Sequence, residues 1–220
     1  MESAPGEDSS PWRFGVEPLE QTSILASLMR RVAGLAISME REVPALDRLI
    51  EDLRTAERVL SDQAPADPAP RVGRHTTREQ RVYLDHSEDI GSYNPCFPEY
   101  TIEVFGDRAE GSVAFPLAYE GPPGIVHGGF LAVFFDCVIQ DQNCELGQTG
   151  KTASLSISFH RPAPLLRTLE FEIDRLVADR RIRSNARLSL DGVTLCTAAM
   201  DSALGDRAAL PAVSPRRSEP

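Results

Sequence analysis

Between Ile24 and Leu60 the apolar residues recur at helical spacing, first Ile24, Leu25, Leu28, Met29, Val32 and Leu35, then Leu46, Leu49, Ile50, Leu53, Val59 and Leu60. This predicts two helices. Pro44 breaks the run, because it removes an intrahelical donor and clashes with the preceding turn. Residues 61–74, with Pro65, Pro68 and Pro70 among small polar residues, read as a linker. Beyond it the period becomes two: 100–105 and 111–119 are expected strands bounded by Gly106 and Gly121. The segment 128–142 opens on small residues and is apolar almost all round, as in a helix surrounded by protein. From Thr152 the chain alternates strictly, with Ala153, Leu155, Ile157 and Phe159 on one face and Thr152, Ser154, Ser156, Ser158 and His160 on the other. Residues 169–177, 182–190 and 193–200 continue as strands, with Asp191-Gly192 as a two-residue turn between the last two.

The expected order is strand, strand, helix, then four strands. A sheet with one hydrophobic face must cover it, and a single apolar helix inside an antiparallel meander does so if the sheet wraps around it. The fold class is therefore α+β. The expected organisation is a helical extension over 1–62, a linker over 63–74, the main domain over 75–203 and a disordered tail over 204–220. One helix cannot cover six strands completely, so a homodimer or a dimer of dimers is expected.

Composition narrows the function. A chain of 220 residues with 41% hydrophobic and 25% charged residues supports one main core. The longest dense apolar stretch, 130–139, is short of the roughly 20 residues a bilayer requires and contains Asp136, so no membrane span is expected. The first residues place Glu2, Glu7 and Asp8 where a secretory signal has basic residues, which points to the cytoplasm. The four cysteines form no CxxC pair, so buried free thiols are expected rather than a metal site or a disulfide framework. A net charge of -10 argues against nucleic acid as a partner. Residues 151–190 nevertheless hold 8 basic and 4 acidic residues, a local excess suited either to solvated strand positions or to a small anionic ligand.

The informative stretch runs from Glu120 through His127, Gly128 and Gly129 to Asp136. Two glycines at a helix start allow close approach to the backbone, and the free N–H groups there favour negative charge. Asp136 lies in an apolar helix, where an ionised carboxylate without partners costs several kcal/mol. It needs either hydrogen-bond partners or an acid–base role. His127 either orients the loop or contacts a ligand carbonyl. Nine residues of helix separate His127 from Asp136, a rise of roughly 13.5 Å, so both cannot face one small substrate in one chain. A two-fold dimer would supply Gly128 from one subunit and Asp136 from the other.

The His-Gly-Gly motif at 127–129 with Asp136 nine residues after His127 resembles the hotdog-fold acyl-CoA thioesterases of the phenylacetate-pathway type, over roughly residues 83–203. Glu120-Gly-Pro-Pro-Gly124, Thr152 at the start of the next strand and Arg161-Pro162-Ala-Pro164-Leu165 at its end resemble the branch acting on longer fatty acyl-CoAs. Asn94-Pro95-Cys-Phe-Pro98 resembles the segment leading into the first long strand of these domains. The resemblance implies a hotdog fold and a catalytic Asp136 and Thr152, with the Gly128 N–H polarising the thioester carbonyl and His127 supporting the loop. Many such relatives carry Asn six residues before the His, where this chain has Gly121. That departure favours aliphatic over short aromatic acyl groups.

The implied reaction is hydrolysis of medium- or long-chain acyl-CoA to free acid and CoA, with Asp136 as general base, or less readily as nucleophile, and Thr152 holding the water. Gly129, Arg161, Pro162, Lys151 and Asn94 are the expected substrate-binding residues, Arg161 and Lys151 lying near the CoA phosphates. No cofactor or metal is expected. Two alternatives stand beside this reading. A non-catalytic acyl-CoA-binding or regulatory module would make partner contacts through the N-terminal helices, but gains nothing from Asp136 beside a thioester. A dehydratase of 3-hydroxyacyl thioesters would require a closer acid–base pair than His127 and Asp136.

Overall fold

The computed structural model describes residues 12–13, 19–64, 81–82, 90–146 and 150–204. The expected linker from residue 65 onward and the expected tail beyond Leu204 lie outside these residues. Two-residue strands β1 (Trp12–Arg13) and β2 (Arg81–Val82) pair in parallel. The helical region forms α1 (Glu20–Ile37) and α2 (Pro44–Gln63), with Pro44 at the first turn of α2, where its missing N–H leaves no bond unmade.

Helix α1 docks by its small and polar side. Ala26 and Arg30 are its buried residues, while Ile24, Leu25, Leu28 and Leu35 stay exposed. Arg30 holds it in place: its guanidinium donates to the carbonyl oxygens of Asn94 at 2.7 Å and Phe97 at 3.0 Å and to Glu99 Oε1 at 2.5 Å. A buried guanidinium needs such partners, since its desolvation is costly and its donors sit in a rigid fork. Helix α2 buries no residue.

The main unit is a six-stranded antiparallel sheet in the order β3-β4-β6-β7-β8-β5. Its strands are β3 (Tyr100–Phe105), β4 (Arg108–Ala114), β5 (Gly150–Phe159), β6 (Thr168–Ala178), β7 (Arg181–Leu190) and β8 (Val193–Leu204). A single turn, α3 (Ile90–Tyr93), leads into β3, and the central helix α4 (Gly128–Glu145) connects β4 to β5. Phe134 of α4 is wholly buried, with ring centroids of Phe115 at 5.4 Å and Phe171 at 5.3 Å in edge-to-face contact. Each such pair adds about 0.5–1.5 kcal/mol to simple burial, so the helix is fixed through its middle.

Four boundaries differ from the sequence pattern, each for a local reason. The second strand spans Arg108–Ala114 rather than 111–119: Phe105 pairs with Arg108 around a two-residue turn that has Gly106 at φ 64°. The strand ends ahead of Pro116, which cannot donate to a ladder, and Leu117–Tyr119 form a 3-10 turn. Helix α4 runs three residues past 142, because its last buried turn is polar (Gln140, Asp141, Gln142, Asn143) and so invisible to an apolar pattern. Strand β8 continues to Leu204, paired with Gly150 of β5. Nor is α4 fully enclosed within one chain: Val133 is 51% and Phe130 38% exposed. Beside this stripe β5 is an edge strand, with no neighbour on its outer side among the described residues.

Candidate active site

Strict alternation along β5 would send Thr152 to the side away from Leu155 and Ile157. The register shows why it does not go there. Thr152 pairs with Ser202 and Ser154 with Asp201, so Ala153 is an extra residue and the ladder has a β-bulge. A bulge shifts the phase of the side chains by one. Thr152 thus shares the helix-facing side with buried Ser202 and Met200, while Ser154 faces outward opposite Asp201. The Thr152 hydroxyl donates to Asp136 Oδ1 at 2.8 Å and lies 3.5 Å from Met200 Sδ. Asp136 is half-buried, with this hydroxyl as a partner, which resolves how a carboxylate is tolerated on α4.

At the other end of α4, His127 is the N-cap. Its Nδ1 accepts the Gly129 N–H at 3.0 Å, so the ring proton resides on Nε2 in this arrangement, and its own N–H donates to Tyr119 O at 2.9 Å. The Phe130 and Leu131 amides turn back to the His127 carbonyl at 2.9 and 3.3 Å. The Gly128 N–H makes no hydrogen bond to any described residue and is the first-turn donor left open. The loop before it is held by Glu120 Oε1 accepting the Gly124 N–H at 2.7 Å and by bridges from Val126 to Glu120 and from Ile125 to Pro164.

Glycine has a steric cause both at 128, within the motif, and at 121, where the chain departs from it. A Cβ on Gly128 would lie 3.0 Å from Phe159 Cζ, and one on Gly121 would lie 2.9 Å from His127 Cα. Gly121 therefore allows the loop to close on the capping histidine where an Asn would push it away.

The structure brings some expected residues together and separates others. A cleft of about 460 Å³ joins Gly128 to Arg161 and Pro162, with walls of Ile125, Leu131 and Phe159. Lys151 is exposed and stands next to Thr152 in β5, at the far end of that strand from Arg161. Eight residues of strand lead from Lys151 to the end of β5 at Phe159, roughly 26 Å, and Arg161 lies just beyond. Asn94 Oδ1 accepts the Cys96 N–H at 2.9 Å and its carbonyl accepts from Arg30, so this side chain shapes the loop under α1. Gly129 is exposed at the capped first turn.

One participant was not anticipated. Gln140, one turn beyond Asp136 and only 6% exposed, donates from Nε2 to Thr152 Oγ1 at 3.0 Å and to Ser202 Oγ at 3.2 Å. Its place four residues after Asp136 on the same helix face was the available signal. Elsewhere, burial raises the Tyr119 phenol and pushes the Cys196 thiol up to about 12, which leaves that cysteine an unreactive core residue. All four cysteines are free. No helix of the described residues is long and apolar enough to cross a membrane.

Among solved structures, the chain is similar to a thioesterase superfamily protein, with 25% identity and a TM-score of 0.68 over 86% of this chain and 98% of the other. An overlap of that extent exceeds what the sheet and α4 span, so it includes part of the chain ahead of residue 90. It is also similar to a hypothetical thioesterase protein with coenzyme A from Streptococcus pneumoniae TIGR4 (18% identity, TM-score 0.45, 48% of this chain and 88% of the other). A phenylacetic acid degradation-related protein from Ralstonia eutropha JMP134 gives 23% identity and a TM-score of 0.43 over 47% and 83%. No family model and no curated protein matches the sequence. The fold is that of the hotdog thioesterase superfamily.

Proposed function

We propose that the protein is an acyl-CoA thioesterase that hydrolyses medium- to long-chain fatty acyl-CoA to the free acid and CoA. The observation that carries this reading is the Thr152–Asp136 hydrogen bond at 2.8 Å, on a part of α4 that a single chain leaves partly open. Asp136 acts as general base, taking a proton from water as the water oxygen bonds to the thioester carbon. The carbon–sulfur bond then breaks, and the proton passes to the departing thiolate. Thr152 holds the water. The unpaired Gly128 N–H stabilises the developing oxyanion, a role in which one backbone-type donor contributes about 10²–10³ in rate.

Gly128 and Asp136 are separated by eight residues of helix, about 12 Å, so the complete site in this reading joins Asp136 and Thr152 of one protomer to Gly128 of a second across a two-fold axis. Support comes from the exposed Phe130 and Val133 stripe beside the unpaired edge of β5. An antiparallel partner along β5 would also bring the second chain's copy of one basic residue toward this chain's other, with Arg161 and Lys151 meeting the CoA phosphates together. The apolar walls of the Gly128 cleft suit an aliphatic chain.

The test is thiol release from saturated acyl-CoAs of increasing chain length. Turnover is expected to peak at a medium or long chain. Tight acyl-CoA binding without thiol release would instead establish a binding module.

A further inference from the structure

We propose that Gln140 is a positioning residue that aims the Thr152 hydroxyl proton at Asp136 and so leaves one defined lone pair on Thr152 for the hydrolytic water; this rests on the thioesterase reading above. The starting point is hydrogen-bond capacity. A threonine hydroxyl has one proton and two acceptor sites, and a glutamine amide has two protons on nitrogen and an acceptor oxygen. Within reach of Thr152 Oγ1 are Asp136 Oδ1 at 2.8 Å, Gln140 Nε2 at 3.0 Å and Met200 Sδ at 3.5 Å. The amide nitrogen can only donate, so it occupies one lone pair. The hydroxyl proton then goes to the carboxylate, because thioether sulfur is a weak acceptor.

The direction of the amide is itself fixed by its surroundings. Gln140 Oε1 accepts from Asn143 Nδ2 at 3.2 Å, which turns Nε2 toward the sheet, where its second proton meets Ser202 Oγ at 3.2 Å. Gln140, Asn143 and Ser202 are all buried, so the amide has little freedom to rotate. A relay results: Asn143 orients Gln140, Gln140 orients Thr152, and Thr152 donates to Asp136. With Asp136 Oδ1 occupied, a water can give one hydrogen to the remaining Thr152 lone pair and the other to Asp136 Oδ2. Its own lone pair is then directed away from both, toward an incoming carbonyl carbon.

Without the amide donor, a second lone pair of Thr152 is left unfilled, so the side chain has more than one rotamer open to it and the water more than one acceptor site. The chemical step should suffer while substrate binding does not. In Gln140→Met, which keeps length and removes both donors, kcat on the best acyl-CoA is expected to fall by about tenfold or more with KM within about twofold. Ser202→Ala deletes the other partner of the same amide and should leave kcat within about twofold. Thr152→Ala should abolish the effect of Gln140→Met, so that the double variant is no slower than Thr152→Ala alone. Additive losses, or a loss confined to KM, would overturn the proposal.

A second readout needs neither turnover nor a variant. Three-bond couplings to the Thr152 methyl carbon report its χ1 angle, and the wild-type protein is expected to show one rotamer. Averaged couplings in the wild type contradict the positioning role even if the enzyme is active. Absence of thiol release with a single rotamer overturns the thioesterase reading and leaves the hold of Gln140 on Thr152 standing.

Discussion

The Thr152 hydroxyl meets the Asp136 carboxylate at 2.8 Å because the residue that follows Thr152 in β5, Ala153, is left over in the ladder with β8. Without that surplus residue the same polar side chain would join Ser154, Ser156 and Ser158 on the outer face. The chemistry proposed for this protein therefore depends on an irregularity in β5 rather than on its regular part.

Gly128→Ala tests the open helix-terminal donor. The added methyl group would stand 3.0 Å from Phe159 Cζ, so either the ring or the helix end has to move away. Thiol release is expected to fall by about tenfold or more. Phe159→Leu in the same chain should recover part of the loss, since the clash is with the ring. Steady-state kinetics on the single and the double variant checks both statements.

His127 contributes stability through its cap. His127→Ala removes the acceptor of the Gly129 N–H, and loss of an N-cap acceptor costs about 0.5–2 kcal/mol. Asn at 127 can also accept from the second or third helical amide, so His127→Asn should unfold at a higher denaturant concentration than His127→Ala. If the two variants unfold together, the cap has been assigned too large a role.

The docking of α1 should depend on pH. The hydrogen bond from Arg30 holds the Glu99 carboxyl below its ordinary value of 4.5. A carboxylate whose folded-state value is depressed contributes stability that is complete above the unfolded value and is lost as pH falls through the folded one. Stability should thus decline below about pH 4.5, with Glu99→Gln removing that share of the decline. Arg30→Met leaves the Asn94 and Phe97 carbonyls without this donor and should cost about 3 kcal/mol. Denaturant titrations from neutral to acid pH, together with protease cleavage near α1, would reveal both effects.

Assembly is the fourth consequence. Val133 is 51% exposed on the open stripe of α4, and Val133→Glu should convert a dimer to monomers and abolish thiol release together. Co-expressed Asp136→Ala and Gly128→Ala chains should regain about half of wild-type turnover per heterodimer, because one of its two sites then carries neither change. Light scattering and assays on the purified heterodimer separate this arrangement from a site built within one chain.

Much of this architecture is legible in the sequence because it follows from periodicity. The 3.6-residue pattern marked α1 and α2, near-uniform apolarity marked α4, and the two-residue pattern marked β3 and β5 to β8. Asp191-Gly192 adopts φ of 50° and 76°, as its turn chemistry demands. The turn between β6 and β7 uses Asp179-Arg180 at φ 50° and 60°, and an arginine gives no such signal. The limits of periodicity are equally specific. Gln140 to Asn143 are buried polar residues, so the pattern ended before the helix did. The bulge at Ala153 arises from pairing with β8, which no local pattern encodes. Asp136, Thr152, His127 and Gly128 could be singled out by residue type and resemblance, but their geometry could not, and Gln140 was hidden by its ordinary appearance on a helix.

The most direct test compares thiol release by wild-type protein and by Asp136→Ala, at equal concentration and with folding verified, on the acyl-CoA that the wild type turns over fastest. The account predicts a fall in kcat of at least about 10² with acyl-CoA binding retained. Turnover by Asp136→Ala at the wild-type rate would contradict it.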